Sequence, residues 1–138
     1  MKTLAAAATF LATALAQNAA IGLPKAGQTV QPGQSLTVQV QRPNTITGSQ
    51  EMAVAIGFQS CASGSCYAAD EYMGTILYNG AFSPVYHEYY LPPYENFTVT
   101  VPASAAAGQA VIGVAHATLV GASAAPYLEV LNQTVTVA

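Results

Sequence analysis

Cys61 and Cys66, in the run CASGSC, are the two cysteines of the chain. The spacing is not that of a C-x-x-C redox centre, and a zinc site would need two further ligands. His87 and His116 stand apart from each other and offer no second pair, so no metal and no cofactor are expected. In an oxidising compartment the default for such a pair is a disulfide. A Cys61–Cys66 bond would close a small loop, unlike the bridge between two sheets in antibody domains. Nucleophilic chemistry has equally little to work with. Gly121 to Ala125, GASAA, is half of G-x-S-x-G but lacks the final glycine and a following helix. A Ser-His-Asp set could draw on one aspartate, Asp70. Paired carboxylates for glycoside hydrolysis would have to come from six acids scattered over loops and strand ends. His116 sits among apolar residues, the setting of a hydrogen-bonded core histidine. His87 and Glu88 are neighbours, which in a strand point to opposite faces. A copper oxygenase needs a histidine at its mature N-terminus, where Gln17 is expected instead. The sequence predicts a protein that is not an enzyme.

The ends of the chain indicate the compartment. Lys2, then the apolar run Leu4 to Leu15, then Ala14-Leu15-Ala16 read as a secretory signal peptide over 1–16. The apolar run is too short to span a bilayer. Removing it leaves 122 of the 138 residues, predicted as one domain over 17–138. That mature chain carries Lys25 and Arg42 against Glu51, Asp70, Glu71, Glu88, Glu95 and Glu129, a net charge of −4. Two basic residues cannot track a phosphate backbone or hold an anionic membrane, so no nucleic acid and no membrane insertion are expected. With only 7 % of residues charged, solubility must rest on Thr, Ser, Gln, Asn, Tyr and glycans. A secreted, extracellular monomer is the expectation.

The elements that would position any site are strands. In Ser35 to Gln41, Leu36, Val38 and Val40 share one face, the period of a half-buried strand. Glu51 to Phe58 places Met52, Val54, Ile56 and Phe58 together on another. Met73 to Tyr78 and Pro84 to Leu91 follow as a hairpin pair around Asn79-Gly80, a good hairpin signal. Asn96 to Val101 alternates, Ala110 to Val120 is apolar on both faces as a central strand would be, and Tyr127 to Val137 closes the chain. About seven strands without a helix predict an all-β fold, an antiparallel immunoglobulin-like β-sandwich, with a β-barrel as the alternative.

The same alternation sorts the surface. With Phe97, Val99 and Val101 inside, Asn96, Thr98 and Thr100 face solvent, and Tyr94 with them. Asn96-Phe97-Thr98 and Asn132-Gln133-Thr134 are N-glycosylation sequons, and Asn132 falls outside by the same test, with Leu131, Val135 and Val137 inside. Tyr94 is therefore predicted as a platform beneath the Asn96 glycan. In the preceding segment Tyr89 is predicted buried, and Tyr86 and Tyr90 exposed. Tyr86, Tyr90 and Tyr94 are candidate binding residues, set against the alternative that the tyrosines are ordinary strand composition.

The ordered segments GLPKAGQTVQPGQSLTVQVQRP, EMAVAIGFQSC, MGTILYNGAFSP, PPYENFTVTVP and AVIGVAHATLVGA resemble the fungal necrosis-inducing secreted protein family, the Nis-one type of effector. The resemblance covers nearly all of Ala20 to Val137. It implies a small, cysteine-poor secreted fungal protein that binds host immune kinases and suppresses pattern-triggered immunity in plants, with cell death on overexpression. It transfers no binding residue. The expected partner is then a host protein such as an immune receptor-associated kinase, with delivery into host cells left open. The alternatives are an extracellular module that binds carbohydrate or fungal wall through tyrosines, and a hydrolase.

Overall fold

Alternation becomes strand wherever one face of a segment can be covered. The computed structural model describes residues 19–61 and 64–138, so the expected signal peptide lies outside the described residues. Eight strands follow one another: β1 (Ala20–Leu23), β2 (Thr29–Val30), β3 (Ser35–Gln41), β4 (Ser49–Ser60), β5 (Thr75–Ala81), β6 (Tyr94–Thr100), β7 (Gly108–Val120) and β8 (Ala125–Val137), with no helix among the described residues. They form a three-stranded sheet in the order β1-β3-β6 and a five-stranded sheet in the order β2-β8-β7-β4-β5. Neighbours run antiparallel except β2, which lies parallel to the end of β8.

One apolar core is shared by the two sheets. Leu36, Val38 and Val40 of β3 and Phe97 and Val99 of β6 meet Val54, Ile56 and Phe58 of β4, Ile112 and Val114 of β7, and Val135 and Val137 of β8. The expected inward faces of β3, β6 and β8 are the observed ones. β7 is central in its sheet, between β8 and β4, as its two-sided apolar sequence requires. Its outer face is covered by residues 64–74, which fold back over the sheet. Ala69 is buried there, and a side chain at Gly113 would come within 3.0 Å of Met73 Sδ. A Cβ on Gly57 would meet the Met73 carbonyl oxygen. The bare backbone at these two glycines makes the docking possible.

Cys61 and Cys66 are joined in a disulfide with a Cα–Cα distance of 5.0 Å, in the connection between β4 and β5. Cross-linking so small a loop removes little chain entropy. Reduction is expected to leave the protein folded and to lower its stability by about 2 kcal/mol. Urea denaturation with and without reductant measures the difference; unfolding on reduction alone would refute the estimate.

Two expected elements are replaced. Asn79 and Gly80 do not turn the chain but continue β5, opposite Ala55 and Gly80's partner Val54 in β4. A neighbouring strand with open hydrogen-bonding groups overrides a local turn preference. Pro84 to Leu91 is not a strand either. Only Val85 pairs, in an isolated bridge with Tyr94, because Pro84, Pro92 and Pro93 cannot donate to a ladder. The strand count is thus eight, and one pairing is parallel.

The antiparallel registers send three connections to one end of the molecule: 42–48 between β3 and β4, 82–93 between β5 and β6, and 121–124 between β7 and β8. The disulfide-bearing connection lies at the other end.

Candidate interaction surface at the loop end

One irregularity in β4 decides what lies under these loops. Opposite β7, Glu51 pairs with Thr118 and Ala53 with Ala117, so Met52 is an extra residue, a β-bulge. The bulge shifts the alternation by one. Met52, which alternation places on one side with Val54, Ile56 and Phe58, is 54 % exposed while those three are buried, and Glu51 turns inward in its place.

There Glu51 meets Arg42 at the end of β3 and His116 of β7. Arg42 Nε donates to Glu51 Oε1 at 2.8 Å, Ser49 Oγ donates to the same oxygen at 2.6 Å, and His116 Nε2 bonds Glu51 Oε2. On its other side His116 Nδ1 reaches Glu129 Oε1 of β8 at 2.8 Å, and the Ala19 amide donates to that oxygen at 2.6 Å. Ionised carboxylates only accept, so both ring nitrogens of His116 must donate, and the ring is an imidazolium. Burial disfavours that charge, but the bonds to Glu129 and Glu51 and their negative charges outweigh it and raise the His116 pKa above 6.5. Burial likewise opposes the charge on Glu51. Hydrogen bonds from His116, Ser49 and Arg42 win, and hold its carboxyl at about 2. Two cations and two anions thus close a neutral network linking both sheets beneath the loops.

His116 is fully buried, with both nitrogens engaged and Phe82 set edge-on against the ring at 5.4 Å. It is the hydrogen-bonded core histidine that its sequence context predicts, and it has no free nitrogen to offer a substrate. Among the described residues no group of three or more His, Cys, Asp and Glu is arranged to hold a metal ion.

Above the network the loops are tied to one another. The Arg42 amide donates to the Pro93 carbonyl at 2.7 Å and the Gly121 amide to the Gly48 carbonyl at 3.1 Å. The Asn44 side-chain amide donates to the Tyr86 hydroxyl. The connection 82–93 is closed at its base by Val85 and Tyr94, which exchange hydrogen bonds of 3.2 and 3.0 Å. His87 then lies flat on the Tyr94 ring, with centroids 4.1 Å apart, and Glu88 accepts from the Tyr94 hydroxyl at 2.9 Å. Burial and this carboxylate both raise the Tyr94 hydroxyl above its ordinary value of 10.

The expected sugar platform at Tyr94 is therefore not open. Its ring is only 6 % exposed because the loop before it folds over the strand, which alternation within β6 cannot register. Tyr89, predicted buried, is 99 % exposed; without a strand at 84–91 there is no parity to bury it. Tyr86 and Tyr90 are exposed as predicted, and Tyr89 and Tyr90 stand edge to face at 5.4 Å. Asn96 and Asn132 are both exposed, on β6 and β8.

Most of the exposed large apolar side chains gather at this end: Ile46, Val85, Tyr86, Tyr89, Tyr90 and Leu128. The sequence context of Arg42, Asn44 and Glu51 does not mark them as site residues. Glu129 did carry a signal, since it shares the inward parity of Leu131, Val135 and Val137. Glu51 carried none, because only the bulge turns it inward.

The whole-chain pattern matches a known one. The model of the Nis1 family matches residues 14–136. The chain belongs to the Nis1 family. It is 35 % identical over 142 residues to Necrosis-inducing secreted protein 1 of Colletotrichum higginsianum, an alignment covering 98 % of this chain and 88 % of the relative. It is 31 % identical over 144 residues to the protein of the same name in Colletotrichum orbiculare, covering 99 % and 79 %. The Nis1 family member described here is accordingly an effector-type secreted protein, with an extracellular location.

Proposed function

We propose that this Nis1 family member is a non-enzymatic effector that suppresses host defence by binding an immune-signalling protein, an immune receptor-associated kinase, through its loop end. The observation that carries this reading is the set of exposed tyrosines, Tyr86, Tyr89 and Tyr90, on loops braced by hydrogen bonds. Large aromatic side chains held in place before binding lose little entropy on association and dominate protein interfaces. N-glycans at Asn96 and Asn132, on strands of the two different sheets, would shield the sheet faces and leave the loop end free. The finer fold reading, an immunoglobulin-like sandwich, is favoured by the shared core and by loops clustered at one end.

The test is interferometry on kinase domains of host receptor complexes. Tyr86→Ala, Tyr89→Ala and Tyr90→Ala are each expected to weaken binding by about 2 kcal/mol, roughly thirtyfold. Tyr67→Ala, at the opposite end, should have no effect. Binding unchanged in all three loop variants would overturn the assignment of this surface.

A further inference from the structure

The connections 42–48 and 82–93, with the start of β4, line a half-open cavity of about 450 Å³. It is lined by Pro43, Pro84 and Pro93, by Asn44, Thr45 and Ser49, and by Arg42 and Glu51. We propose that this cavity binds a neutral saccharide of one to a few sugar units.

Charge narrows the ligand first. The Arg42 guanidinium and the Glu51 carboxylate meet at 2.8 Å, and behind them His116 and Glu129 pair in turn at 2.8 Å. The cavity presents no net charge. An anion would have to displace Glu51 from Arg42, and a cation would have to displace Arg42 from Glu51; either leaves a nearly buried charge without its partner. A hydrocarbon ligand fits no better. It would cover the Asn44 amide and the Ser49 hydroxyl without replacing their hydrogen bonds to water.

What remains is a neutral molecule dense in hydroxyl groups. The Asn44 amide and the Ser49 hydroxyl of the lining are the groups such a molecule would meet. The three prolines are rigid, uncharged plates for the C–H faces of sugar rings. Tyr86 is hydrogen-bonded to Asn44 of the lining. The size lies within the range of roughly 300–1,000 Å³ usual for small-ligand clefts. This site does not depend on the host-protein reading, since neither Tyr89 nor Tyr90 lines the cavity and no protein partner is needed to form it.

Calorimetric titration of the secreted protein with chitotetraose, cellotetraose, laminaritetraose and xylotetraose tests the proposal. At least one is expected to bind saturably, with Kd between about 10 μM and 1 mM. Ser49→Ala and Asn44→Ala each remove a polar group of the lining; each should weaken that binding at least fivefold, with Tyr67→Ala unchanged. Should either variant melt early, ligand-induced shifts of the Thr45 and Asn44 amide resonances in the unaltered protein give the same answer. No binding of any of the four sugars, undiminished binding in both variants, or preference for an oligogalacturonate over all neutral sugars would each overturn it. Sugar binding that survives Tyr89→Ala while host-protein binding is lost would separate the two sites.

Discussion

Replacing His116 by alanine is expected to cost the fold about 3–5 kcal/mol, the usual penalty for breaking a buried ionic group by removing one member. The ring is fully buried, and its loss strands two carboxylates unequally. Glu51 would keep Arg42 and Ser49. Glu129 would keep the Ala19 amide and lose the cation that balances it. The buried space left by the ring adds to the cost. Urea unfolding of the variant, compared with the unaltered protein at pH 6, measures the loss. Replacing the whole network, with Arg42→Met, Glu51→Leu, His116→Leu and Glu129→Leu together, should cost less than the single change. Apolar residues of similar volume avoid the desolvation penalty that the charges carry. A loss under 1 kcal/mol for His116→Ala would show that the two carboxylates do not depend on the ring.

Stability should also peak in mildly acidic solution, between about pH 4.5 and 6.5. The two limbs have opposite signs. Glu51 is depressed from 4.5 to about 2, so its contribution is complete above 4.5 and is lost as pH falls toward 2. That shift corresponds to about 3 kcal/mol. His116 is raised above 6.5, so its contribution is complete below 6.5 and is lost as pH rises through the folded-state value. Denaturant midpoints from pH 2.5 to 9 trace both limbs. Glu51→Gln should flatten the acid limb, and NMR titration of His116 should show its ring holding its proton above pH 6.5. A flat profile in acid, or a His116 ring that titrates below 6.5, would contradict the closed network.

A good part of the fold was legible because strand alternation is a local property. Leu36, Val38 and Val40, then Phe97 and Val99, then Val135 and Val137 each declare a buried face within a few residues, and those faces are the core. The paired cysteines and the core setting of His116 are likewise written in neighbouring residues.

The remainder depends on what a segment meets after folding. Asn79-Gly80 has the local chemistry of a turn, but β4 lies alongside and holds it extended. Tyr94 has the parity of an exposed residue, but His87 arrives from an earlier loop and covers it. Glu51 has the parity of a solvated charge, and a single extra residue opposite β7 turns it into the centre of a buried network. The sequence by itself thus determined which segments bury a face, since a period of two needs no partner to be visible. Only the tertiary structure decided where the charges, the tyrosines and the cavity stand, since bulges and loop docking are set by contacts between residues far apart in the chain.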